Sequence, residues 1–206
     1  MRKPGVTVLH ATLSRREERD CRMAQRSRKD WIEEGFRILA SEGDVGLTVD
    51  ALCERLERTK GSFYHHFNGR PGYVEDLLTA WERQATDRII QSGRSDAPVK
   101  DRLRAVNRQA SELKNARLER AIRGWAAREP QARRVQDRVD RKRLEFLGEL
   151  CAERMKDQEA AELLARIFQL ALVGAQHVDP PFEGEELYRA LRFLDPLFDI
   201  AANGAR

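Results

Sequence analysis

The stretch Leu47-Thr-Val-Asp-Ala-Leu-Cys-Glu-Arg-Leu-Glu-Arg-Thr-Lys-Gly-Ser-Phe-Tyr-His-His-Phe67 decides how this chain is read. It has the pattern of two short helices joined by a tight turn. Thr48 is placed to cap the first, whose apolar residues are Val49, Leu52, Cys53 and Leu56. Thr59 is placed to cap the second. Phe63 and Phe67 lie four residues apart and so share one helical face, which can pack on a core. Lys60, Ser62, Tyr64 and His65 fall on other faces. A helix N-terminus presents free amide hydrogens and the positive end of a dipole, both suited to a phosphate. Lys60 adds a full charge there, Gly61 allows close approach, and Ser62 can hydrogen-bond a base edge. Tyr64 can offer its hydroxyl to a phosphate and its ring to a thymine methyl, and His65 or His66 can bond a phosphate. The reading is of an element that enters a DNA groove.

Outward from this stretch, apolar periodicity predicts an all-α chain of about nine helices. One begins at Ser27 with Trp31, Ile32, Phe36, Leu39 and Ala40 on its stripe, and Gly43 ends it. After Asn68-Gly-Arg-Pro71 a long fourth helix runs to about Gln91. Others cover about 99–114, 116–128, 131–155, 157–177 and 185–202. Residues 1–24 read as an irregular basic arm, with Met23 an alternative start. Residues 25–70 read as a three-helix DNA-binding head, and 71–206 as a helical bundle for ligand binding and dimerisation. The segment 157–177 is apolar over more than one face, and the closing helix carries a second apolar stripe. That predicts a homodimer through the last two helices.

Composition agrees. Hydrophobic residues make up 41% of the 206 and charged residues 35%, which suits amphipathic helices. Residues 1–29 hold nine Lys/Arg against three Asp/Glu, a net +6, whereas residues 71–206 hold 24 against 23. The basic end is the one that carries the helix pair, as a polyanion partner requires. No apolar run approaches the ~20 residues of a membrane span, and no signal-peptide pattern appears. Cys21, Cys53 and Cys151 show neither zinc nor disulfide spacing, so cytoplasmic residence is expected. Adjacent His65 and His66 point about 100° apart on a helix and are poorly placed to chelate one ion. No metal site, cofactor or catalytic constellation is expected, and an enzyme is the disfavoured class.

The string Thr59-Lys-Gly-Ser-Phe-Tyr-His-His-Phe67, with Gly35-Phe-Arg-Ile-Leu-Ala and Leu47-Thr48-Val49, resembles the N-terminal domain of the TetR family of transcriptional regulators. The match is strong over about residues 27–80. The resemblance implies that Thr48 touches a phosphate and that Thr59, Lys60, Gly61 and Ser62 lead the recognition helix into the major groove. It further implies that Tyr64 and His65 contact backbone or bases and that Arg70 clamps a phosphate. It also implies a double-stranded operator, a repressor's role and a small-molecule effector. One departure stands out. The family's turn has glycine and a small apolar residue where this chain has Glu57 and Arg58; Arg58 is read as a further phosphate contact. Trp81, Ile122, Trp125 and Phe146 are candidates for lining the ligand pocket, with Arg123 or His177 as a polar group. A DNA-binding regulator or architectural protein without ligand control, and a transcriptional activator, are the alternatives.

Overall fold

The computed structural model describes the backbone of residues 15–203 and the side chains of residues 28–200. All regular structure among them is helical. α1 (Arg15–Gly46), α2 (Val49–Leu56) and α3 (Lys60–His66) form the head. α4 (Gly69–Glu82) passes through one π-helical turn (Arg83–Asp87) into α5 (Arg88–Ser92), so these three make a single continuous rod. α6 (Val99–Glu112), α7 (Ala116–Ala126), α8 (Pro130–Ala152) and α9 (Gln158–His177) follow, then α10 (Gly184–Arg192) and α11 (Asp195–Asn203).

The nine expected segments are therefore all present, with two refinements. The last is broken at Phe193–Leu194 into α10, which packs on α6, and α11, which packs on α9. The first reaches back to Arg15, so residues 15–24 are helical where an irregular arm was expected. The rest of that arm lies outside the described residues. Within α1, Gly43 has φ 73° and ψ −167°, a region essentially closed to other residues, so regular α-geometry stops at this glycine as read.

The termini follow capping chemistry. Asp157 accepts from the amides of Glu159 and Ala160 to start α9, and Glu129 with Pro130 starts α8. One continuous apolar core runs from the head into the bundle. It joins Trp31, Leu39, Leu52, Phe63 and Phe67 to Tyr73, Leu77 and Trp81 of α4, then to Ile122 and Trp125 of α7 and Val139 of α8. α7 lies directly along α1, and Arg128 just beyond it pairs with Asp44 of the head. The head is thus seated on the bundle rather than tethered to it.

The π-turn is clamped from α8. Arg143 donates to the Thr86 hydroxyl (3.2 Å) and the Ala85 carbonyl (3.0 Å), and forms a buried ion pair with Glu119 of α7 (3.2 Å). Glu119 also accepts from Trp81 Nε1 at 2.9 Å. One turn away, Arg138 and Lys142 grip buried Glu82. The Arg138 hydrogen bond foremost holds that carboxyl below the usual carboxylate range.

Candidate nucleic-acid interface

Thr48 and Thr59 are both N-caps, accepting from the amides of Ala51 (3.1 Å) and Ser62 (3.2 Å). Each has extended backbone geometry and an exposed side chain, so the hydroxyl hydrogen remains available to a further acceptor. Behind α3, Phe63 is fully buried. Its ring meets Trp31 edge-on at 5.5 Å between centroids and lies 5.4 Å from Tyr73. Phe67 packs edge-on to Tyr73 at 4.9 Å. The two phenylalanines fix the rotation of α3 about its axis. That rotation leaves Lys60, Gly61, Tyr64 and His65 exposed, with Ser62 half-buried beside them. A side-chain carbon on residue 61 would have only the Thr59 hydroxyl nearby, at 3.7 Å, so the face there is open.

The structure thus brings Thr59, Lys60, Gly61, Ser62, Tyr64 and His65 together on one short helix, with Thr48 at the start of the preceding one. Exposed Arg70, in the first turn of α4, has no ion-pair partner among the described residues. Lys60 is not bare: its ammonium meets Asp50 at 2.6 Å, and that hydrogen bond foremost raises its pKa. His66 is half-buried; desolvation first, then His65 and the cations of Arg58 and Arg28, lowers its pKa.

The turn explains the departure at residues 57 and 58. Glu57 sits in the left-handed region (φ 52°, ψ 42°), the geometry that favours glycine. Its amide donates to Glu54, and the Arg58 amide reaches back to the Cys53 carbonyl at 2.9 Å, so the end of α2 is closed by a Schellman-type pair. Arg58 is partly exposed and engaged with α1. Its guanidinium donates to Asp30 at 2.9 Å and lies 5.9 Å from the Trp31 ring centre. The side chain read as a phosphate contact thus also pairs with Asp30 of α1. This choice of partner has no signature in sequence.

The expected ligand-lining residues divide. Phe146 borders a cavity between the π-turn, α5, α6, α8 and α9. Trp81, Ile122 and Trp125 do not: they are closed into the core that the head shares. Arg123 pairs with Asp140 at 2.8 Å, and the His177 ring bonds the Val173 carbonyl of its own helix. The cavity is bordered instead by Thr86, Asn107, Arg143 and Gln169, which sequence reading missed. Buried polar residues on otherwise apolar helix faces were the available signal. No group of three or more metal-ligating side chains gathers among the described residues, and no helix among them is long and apolar enough to cross a membrane.

No family model matches the sequence, and no curated protein matches it. Solved structures do. The TetR-family transcriptional regulator SCO4454 from Streptomyces coelicolor superposes with a TM-score of 0.72 at 18% identity, covering 93% of this chain and 98% of its own. A transcriptional regulator from Rhodococcus sp. Rha1 gives 0.69 at 20% identity, over 86% and 97%. Reduced NemR from E. coli gives 0.66 at 17%, over 82% and 96%. The chain has the all-α fold of the TetR-family regulators.

Proposed function

We propose that this chain is a homodimeric, sequence-specific DNA-binding transcriptional regulator, a repressor released from a pseudo-palindromic operator by a small molecule. The observation that carries the reading is α3: a helix capped by Thr59, anchored from behind by Phe63 and Phe67, and presenting Lys60, Gly61, Tyr64 and His65 outward. A short helix held this way suits insertion into a major groove. The neighbours' identity as transcriptional regulators supports it.

The second copy is assigned to the apolar stripe of α9. Leu163, Ile167, Leu170 and Gly174 recur along one outward side of that helix. Phe193, Leu197 and Ile200 extend the apolar surface beyond α10. Phe193 is 87% exposed, and a patch of this kind marks a partner surface. A two-fold dimer places its two α3 helices about one DNA turn, or a multiple, apart.

The test is selection of bound duplexes from a random pool, then binding across salt concentrations. An enriched inverted repeat is expected. Weak binding without a motif would replace this reading with a protein that coats DNA. The narrowness of the cavity, about 50 Å³, favours a second reading, a DNA-binding regulator without ligand control.

A further inference from the structure

The cavity beside the π-turn is mostly apolar, with Ile89, Ile90, Phe146 and Leu172 among its walls. Two polar side chains on it are conspicuous. Asn107 (5% exposed) has no partner for its Nδ2 among the described residues, and Gln169 (8% exposed) has none for its Oε1. Buried polar atoms without partners are rare and costly. Gln169 cannot trade its two ends, because its Nε2 already donates to Asp140 at 3.0 Å. Two side chains of the pocket wall therefore carry one unused donor, Asn107 Nδ2, and one unused acceptor, Gln169 Oε1.

Its charge is spent. Arg143, the cation on the wall, gives its hydrogens to Glu119, Thr86 and the Ala85 carbonyl. A carboxylate ligand would gain no unpaired cation here and would lack the hydrogen that Gln169 needs. With the Asn107 amide oriented as here, an ammonium would lack the lone pair that its Nδ2 needs. A hydroxyl or a primary amide satisfies both.

Size adds a constraint. A void of about 50 Å³ is well below the ~300 Å³ at which ligand pockets begin. An occupant larger than a few atoms must part the walls, so it binds better to an expanded form than to this one. Differential affinity of that kind is what shifts a conformational equilibrium. The wall that would yield includes Ala85 and Thr86 of the π-turn, which continues directly into α4 and so toward α3.

We propose that this cavity is a binding site for an uncharged, mainly apolar molecule bearing one hydroxyl or primary amide, seated between Asn107 and Gln169. The assignment rests on the regulator reading for its consequence on DNA, but not for the binding itself.

The experiment uses four probes on the full chain: hexan-1-ol, hexanamide, hexanoate and hexylamine. Calorimetry and thermal shift read binding, and a labelled duplex from the selection reads DNA affinity. Hexan-1-ol and hexanamide are expected to bind and to raise Tm, and hexanoate and hexylamine to bind at least tenfold more weakly. Asn107→Leu and Gln169→Leu should each weaken hexan-1-ol by about 3- to 10-fold, the worth of one neutral hydrogen bond. Ala110→Phe, which fills the cavity, should abolish binding. If that variant does not fold, the two leucine variants decide. Equal binding of all four probes, unchanged affinity in both leucine variants, or no binding of any probe overturns the proposal. Selective binding that leaves duplex affinity unchanged keeps the site and removes release from the regulator reading.

Discussion

The hydroxyl of Tyr73 in α4 donates to the Trp31 carbonyl of α1 at 2.8 Å, across the space that a side chain on Gly35 would fill. A Cβ at residue 35 would come within 2.0 Å of that oxygen. The contact needs both residues: glycine for the approach, tyrosine for the bond. Burial pushes the Tyr73 pKa well above the ordinary phenol value, so the hydroxyl stays a donor at any working pH.

Gly35→Ala should therefore destabilise the protein by about 1–3 kcal/mol, the usual range for overpacking. Tyr73→Phe should cost about 1 kcal/mol for the lost bond. Combined with Tyr73→Phe, the alanine should cost measurably less, because the clashing oxygen is gone. Urea denaturation of the four proteins in a double-mutant cycle measures this, and strict additivity would show that the two helices adjust elsewhere.

At Glu57 the sequence itself is strained. A non-glycine residue in the left-handed region gives up about 1–2 kcal/mol, so Glu57→Gly should stabilise, by somewhat under 1 kcal/mol after the added chain entropy. Arg58→Ala should do the opposite, since it uncovers Trp31 and unpairs Asp30. Thermal melts of both variants check the signs.

On the proposed function, the Lys60–Asp50 pair bears on DNA affinity. Lys60→Ala should weaken binding to all duplexes about equally and reduce the salt slope by at most about 1. Asp50→Asn should strengthen binding, because it frees the lysine and removes a like charge from the phosphates' side. A weaker binder on losing Asp50 would mean that the carboxylate positions Lys60 rather than competing for it.

Removing Arg143 alone, as Arg143→Met, should cost about 3–5 kcal/mol, because it leaves Glu119 buried and unpaired. Replacing both partners by apolar residues should cost far less. Chemical denaturation of the single and double variants compares them.

His66 gives a pH signature. Its pKa is lowered on folding, so between that value and the unfolded ~6.5 the unfolded chain binds more protons. The stabilising effect of the neutral ring is complete above about pH 6.5 and is lost as pH falls through the lowered value. The fall in Tm on acidification below about pH 6.5 should be shallower in His66→Gln.

Local chemistry was readable in the chain. Thr48 and Thr59 cap where hydroxyls before apolar runs should cap, Gly43 breaks α1, and Phe63 and Phe67 turn inward because four-residue spacing puts them on one face. What could not be read depends on distant partners. That Arg58 meets Asp30, whether Trp81 and Trp125 line a void or a core, and where a long helix takes one π-turn are set by which helices become neighbours. The break at Phe193–Leu194 is likewise invisible: neither residue is a helix breaker, and it is α6 that captures α10. Trp81, Ile122 and Trp125 lie in the core for the same reason, since aromatic content marks burial and not emptiness.

The single core shared by Trp31, Phe63, Trp81, Ile122 and Trp125 makes this head a poor spare part. Cut after α4 and grafted onto another bundle, it would lose the wall that α7 supplies and expose the apolar surface that Ile122 and Trp125 cover. A chimera that keeps the head folded as it is here would have to carry α7 along with it. The head and the body beneath it are, in this chain, one packed unit.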